Sequence, residues 1–258
     1  MTESARVDTS RPNGARVYDY LLGGRDNFAA DRVQGDRMIA SMPTARIGAR
    51  LQREILARAV RYMVRDAGVT QLLDIGSGLP TAQNVHQIAQ RLNPDVHVVY
   101  LDNDPVVISH AIALLADDKR TFAVPGDLRD PAGIVKTTRD LLDWSRPVGL
   151  VLCGILHQII DEEKPVELMT VLTDALPSGS CVFINHLVRS EGSARLEAAM
   201  RQGLGKIRFR TSAQILELFA GLALVDPGLV PSPEWRPDGP PAEPARESMA
   251  WAGVARKL

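Results

Sequence analysis

From residue 71 onward, short β-type apolar runs alternate with stretches of helical periodicity, and no other feature narrows the possible folds as much. Strands are expected at 71–75, 96–101, 121–124, 148–153 and 181–185, with helices near 81–92, 105–116, 131–142 and 163–175 between them. Strands spaced by helices of this length form βαβ units, hence a parallel sheet with helices on both faces. Helices near 192–203 and 212–220 follow, then apolar runs at 222–225 and 249–254. Residues 227–244 hold seven of the 17 prolines, which excludes a helix or a central strand and predicts a long loop. If 249–254 returns antiparallel beside 222–225, the sheet ends in a reversed hairpin.

The first 70 residues follow another pattern. Val17, Tyr20 and Leu21 have the i, i+3, i+4 spacing of a short amphipathic helix, and Gly23-Gly24 ends it. A second helix near 29–41 stops before Pro43. A third, near 45–66, carries Ile47, Leu51, Ile55, Leu56, Ala59 and Met63 on one face and ends near Gly68. The expected organisation is a helical cap over residues 1–68 and a sheet domain over 69–258.

Composition limits the class of function. A net charge of −1 excludes a strongly basic nucleic-acid binder, and a 45% hydrophobic content argues against disorder. No apolar run is long enough to cross a membrane, and the first residues lack the apolar core of a secretory signal. Cys153 and Cys181 both sit in apolar runs, which suits a reducing cytoplasm better than a disulfide framework. No cluster has metal-ligand spacing, so no metal is expected. Nothing in the chain signals an oligomeric state.

Four segments carry chemistry. The first, Asp74-Ile75-Gly76-Ser77-Gly78, is a strand running into a glycine turn at the edge where doubly wound sheets bind ligands. Thr81 stands where a dinucleotide fingerprint has its third glycine, so a nicotinamide enzyme is disfavoured. Asp74 matches an ammonium group, which S-adenosylmethionine has and pyrophosphate lacks; a purely structural turn is the plain alternative. The second is Asp102, closing the next strand 24 residues beyond Gly78, where it can accept from both ribose hydroxyls. Asp104 and Pro105 beside it read as N-cap and first helical residue.

The third segment is Gly126-Asp127-Leu128, where a carboxylate can accept from an adenine amine and the Leu128 amide can meet a ring nitrogen. Asp130-Pro131 there reads as a helix start. The fourth runs from Cys153 to His157, beside the expected reacting centre. His157 is a candidate general base or an orienting hydrogen-bond partner. His186, after the fifth strand, ranks second, ahead of His86, His97 and His110.

Taken in order, these motifs resemble those of class I, Rossmann-like S-adenosylmethionine-dependent methyltransferases. The segment from Ala15 to Arg32, with Tyr18-Asp19-Tyr20-Leu21-Leu22-Gly23-Gly24, resembles the signature of a largely uncharacterised actinobacterial family of S-adenosyl methyltransferases. Segments 73–84 and 100–105 are similar to that family too. The resemblance implies S-adenosylmethionine as cofactor, with Tyr18, Gly23, Gly24 and Asn27 over its methionine end. It implies further contacts from Asp74, Gly76, Gly78, Asp102, Asn103, Asp127, Leu128 and Cys153. The expected function is methyl transfer to a small-molecule acceptor, with Tyr18, Tyr20, Asp26 and His157 as candidates to position or deprotonate it. The alternative is a non-catalytic protein that binds S-adenosylmethionine and regulates a partner.

Overall fold

The computed structural model describes residues 8–80, 83–115, 118–240 and 249–258. Thr81, the ends of two expected helices at 81–82 and 116, and the prolines beyond 240 lie outside the described residues.

Five parallel strands form the centre of the sheet: β1 (Gln71–Ile75), β2 (His97–Asp102), β3 (Thr121–Pro125), β4 (Gly149–Cys153) and β5 (Cys181–Leu187). The short strands β6 (Ala223–Leu224) and β7 (Val230–Pro231) precede β8 (Ala250–Arg256). The order is β3-β2-β1-β4-β5-β8-β6, with β8 antiparallel to both of its neighbours. The reversed C-terminal pair is therefore present, but β8 lies inside it, between β5 and β6. The proline-rich segment also departs from a plain loop, because β7 pairs with Trp251 and Ala252 on the free edge of β8. Pro231 is tolerated at an edge, where it owes the ladder no N–H.

Period-2 alternation divides the core. Leu72, Val98, Val151 and Phe183 pack on one face, while Leu73, Val99, Leu150 and Val182 pack on the other. The N-terminal helices are α1 (Gly14–Leu22), α2 (Ala29–Ser41) and α3 (Ala45–Arg61). The helix expected over 45–66 widens into a π turn at Tyr62–Asp66 before the chain enters β1. Ile55 and Ala59 of α3 join the core on the first face. Val17, Leu21, Met38, Ala45 and Ala49 form a third cluster with Leu196 and Met200 of α8 (Ala194–Leu204).

Two of the helices between strands, α5 and α6, start where Asp-Pro predicts, whereas α4 starts after Asn84. α4 spans Val85–Leu92, α5 spans Pro105–Leu114, and α6 spans Pro131–Thr138. Asp104 accepts from the Val106 amide at 2.8 Å and Asp130 from the Gly133 amide at 2.9 Å, capping α5 and α6. α7 (Pro165–Ala175) and α9 (Ser212–Glu217) complete the second face.

Candidate active site

The strand order reverses between β1 and β4, and their carboxyl ends open into a cleft, the usual ligand position in such sheets. A cavity of about 200 Å³ fills it, lined by the ends of β1, β2 and β4, by α1, α2 and α3, and by α8 with the segment after it. The structure brings Tyr18, Asp74, Gly76, Gly78, Asp102, Asn103, Cys153 and His157 to this one space.

The glycine turn is shaped by backbone demands. Gly76 and Gly78 both have positive φ, 70° and 67°. A Cβ on Gly76 would lie 2.6 Å from the Ile155 side chain, whereas one on Gly78 would project into open space. Gly76 is thus fixed by packing, and Gly78 keeps the cavity clear. The Gly78 amide donates to Asp102 Oδ2 at 3.0 Å, and the Asp104 amide donates to Asp102 Oδ1 at 2.9 Å. A carboxylate has about four acceptor sites, so Asp102 keeps acceptor capacity for a ribose hydroxyl beside these amides.

Asp74 is 5% exposed and accepts no hydrogen bond from the described residues. Burial pushes its carboxyl up to about 7, against the opposing charge of Arg53 and with a small push from Asp102. A buried, unpartnered carboxylate facing a cavity fits an ammonium ligand, and with Asp102 it fits an aminoacyl nucleoside such as S-adenosylmethionine. Cys153 is a weak ligand by comparison, since burial pushes its thiol up to about 12.

His157 sits on the one-turn 3-10 helix Leu156–Gln158 after β4, and burial together with the Arg210 charge lowers it to about 4. Its Nδ1 is buried without a partner. Its ring meets His186 edge-on, 5.9 Å between centroids. His186 Nε2 faces Arg210 Nη1 at 3.0 Å, and Arg210 can only donate, so the His186 proton sits on Nδ1, toward the Leu187 carbonyl at 2.8 Å. Arg210 also donates to the Leu156 and Ile159 carbonyls, at 3.0 and 2.7 Å, and fastens the turn that carries His157. His186 is therefore a support behind His157, outside the cavity lining.

Several expected residues lie elsewhere. Tyr20 and Asp26 do not reach the cavity: the Tyr20 hydroxyl donates to Asp36 at 2.7 Å, and Asp26 is exposed, 3.9 Å from His110. On α1 the inward face is Val17, Tyr18 and Leu21, which turns Tyr20 toward α2. Tyr18 lines the cavity, but its hydroxyl donates to the Ala49 carbonyl at 2.9 Å and burial raises its pKa, so it is a wall and not a base.

Gly23, Gly24 and Asn27 are also outside the lining. Gly23 is the left-handed C-cap of α1, and the Gly24 backbone presses against the Asp19 carboxylate. That carboxylate accepts from the Asp26 amide at 2.9 Å and from Asn27 Nδ2 at 2.8 Å. The Gly-Gly-Arg-Asp-Asn segment is thus a helix stop organised by Asp19. Leu128 is buried in the core, and Asp127 borders the cleft through Asn103, whose Nδ2 donates to it at 3.1 Å.

Sequence reasoning missed Gln52 and Arg53 of α3 and the lining contributed by α2 and α8. A signal existed for the first pair: Gln52 and Arg53 lie between Ala49 and Leu56 on the buried stripe, where polar residues interrupt an apolar face.

The sequence profile described as S-adenosyl methyltransferase matches residues 1–258. A crystal structure from Thermobifida fusca, named as that of a candidate methyltransferase, is 41% identical, with 97% of this chain and 96% of that chain covered at a TM-score of 0.93. A DUF574-family protein from Streptomyces avermitilis is 38% identical, with coverage of 98% and 100% and a TM-score of 0.92. An O-methyltransferase of neocarzinostatin biosynthesis, solved with S-adenosylhomocysteine and a dihydroxynaphthoic acid, is 19% identical and shares the fold, with coverage of 93% and 64% at a TM-score of 0.53. No curated protein matches.

Proposed function

This chain belongs to the S-adenosyl methyltransferase family and is an S-adenosylmethionine-dependent methyltransferase, and from that premise we propose that it methylates a small, predominantly apolar molecule. One observation carries the proposal. The charged residues among the described lining are Arg53, Asp74 and Asp102, and all three border the glycine turn, whereas the far side presents Leu21, Met38, Met42, Leu196, Met200 and Met249. The cofactor fits the charged side, which leaves the apolar side for the acceptor.

When bound, S-adenosylmethionine supplies a sulfonium methyl group: a bond forms from the acceptor nucleophile to that carbon as the carbon–sulfur bond breaks, and sulfur keeps the electron pair. Asp74 holds the amine and Asp102 the ribose hydroxyls. Asn103 with Asp127, and the Leu128 amide, flank the adenine. Gly76 and Gly78 keep side chains out of the path. The cap helices α1, α2 and α3 close the chamber, exclude water and hold the acceptor in line, which accounts for much of the rate enhancement. His157 is neutral at physiological pH and aims an imidazole into the cavity. It orients the nucleophile by a hydrogen bond, and the burial and Arg210 charge that keep it neutral make it a positioning group more than a base.

No helix among the described residues is long and apolar enough to cross a membrane, and both cysteines are free, which suits the cytoplasm. Incubation with methyl-labelled S-adenosylmethionine and separate pools of neutral phenols and amines, peptides, and nucleic acid tests the acceptor class. Label in the neutral small molecules is expected. Label only in peptide or nucleic acid would contradict the proposal.

A further inference from the structure

The residues assigned above leave one charge on the cavity wall without a role. Arg53 is the only cationic side chain in the lining among the described residues, and its charge acts on the Asp74 carboxyl. It forms no ion pair with the described residues. Its Nη2 donates to the Gln83 carbonyl at 2.8 Å, and its Nε is buried without a partner. A guanidinium has five N–H donors in a planar fork, so most of this one's donors are unspent. A buried donor without an acceptor is costly, and a ligand acceptor at this point would relieve that cost.

The location of Arg53 identifies the ligand group. Arg53 shares a smaller adjoining cavity with Asp74, Ser77 and Gly78, and no residue of α8 lines that cavity. Arg53 thus lines both cavities where they meet at Asp74 and the glycine turn, the place given above to the cofactor's amino-acid end. That end carries an ammonium and a carboxylate on one carbon. Asp74 matches the first, and a guanidinium matches the second with two parallel hydrogen bonds.

Resting on the cofactor assignment above, we propose that Arg53 binds the α-carboxylate of S-adenosylmethionine and, with Asp74, clamps the amino-acid end from two sides. Because Arg53 lies on α3, the clamp brings the cap into the cofactor site and links cofactor binding to the position of the cap helices. The segment of the cap that touches the cofactor is then the middle of α3, not the glycine pair after α1.

Calorimetric titration of the wild-type protein and of the Arg53→Gln and Arg53→Lys variants, each with two ligands, tests the assignment. The ligands are S-adenosylhomocysteine and its decarboxylated analogue, which keeps the amine, the thioether and the adenosine. Arg53→Gln should weaken S-adenosylhomocysteine by about 10- to 100-fold and the analogue by less than about threefold, with Arg53→Lys between wild type and Gln. Equal losses toward both ligands would mean that Arg53 only ties α3 to Gln83, and would overturn the proposal. Unchanged affinity for S-adenosylhomocysteine, or wild-type protein that binds both ligands equally well, would overturn it too. Wild-type protein that binds neither would overturn the function assigned above along with it.

Discussion

The two sides of the cavity are built in different ways. The strand-end side is made by backbone: positive-φ glycines, amides aimed at Asp102, and carboxylates at the last residue or two of β1 and β2. The chamber side is made by side chains from α1, α2, α3 and α8, which are far apart in the chain and meet in the third apolar cluster. A backbone-built site constrains which residues its sequence may hold, whereas a side-chain chamber asks only for apolar residues of suitable size. The first kind fixes a ligand, and the second is free to differ between relatives that share a fold.

The largest effects should come from the strand-end side. Gly78→Val places a β-branched residue at φ 67° with its side chain in the open cavity, so S-adenosylhomocysteine binding should fall by about 100-fold or more while circular dichroism stays native. Retained affinity in that variant would make the turn merely structural. Asp102→Ala removes charge-assisted hydrogen bonds worth about 1.5–3 kcal/mol each, so calorimetry should register a loss of roughly tenfold or more.

Asp74 joins affinity to pH. Its carboxyl titrates near 7 in the folded chain, raised by burial, and an ammonium ligand prefers it ionised. Affinity for S-adenosylhomocysteine should therefore drop as pH falls below 7, by up to about tenfold per unit, and Asp74→Asn should abolish that slope. Stability runs the other way. A carboxyl raised in the folded state is destabilising above its unfolded pKa, and the penalty is complete above about pH 7. Asp74→Asn should accordingly raise the melting temperature at pH 8, with up to about 4 kcal/mol relieved, and leave it little changed at pH 4. A variant that binds less well yet melts higher would mark a carboxylate kept for its ligand.

The geometry of the strand-end side is legible in the sequence for a physical reason. Asp74, Gly76, Gly78, Asp102 and the Asp-Pro helix starts sit where a strand ends and a helix begins, and each is required by local geometry. The five parallel strands were legible because their buried runs alternate with amphipathic helices. The chamber was not legible. Leu196 and Met200 are an i, i+4 pair that looks the same on a helix facing a cavity as on one facing solid core. The Gly23-Gly24 pair lies outside the lining, and its sequence reads either way, since a helix stop and a ligand loop ask for the same residues. Only the Asp19 carboxylate, filled by the Asp26 amide and Asn27, distinguishes them. Tyr20 lies outside the lining for a similar reason: with Val17 and Leu21 it fits a helical stripe, but the stripe is wider than the cavity.

The smallest effect on cofactor binding should come from the chamber. Met200→Ala is expected to keep S-adenosylhomocysteine affinity within about threefold, less than 1 kcal/mol, while turnover of any accepted substrate falls. A loss comparable to that of Asp102→Ala would erase the division between the two sides. His157→Gln should behave in the same way, sparing cofactor affinity and lowering turnover.

The decisive measurement is a crystal structure with S-adenosylhomocysteine bound. Its ribose hydroxyls should lie on Asp102, its amine on Asp74, and its sulfur turned toward the apolar chamber bounded by Met200 and His157. A ligand whose adenosine lies among Met38, Met42 and Met200, with Asp102 left empty, would contradict that placement.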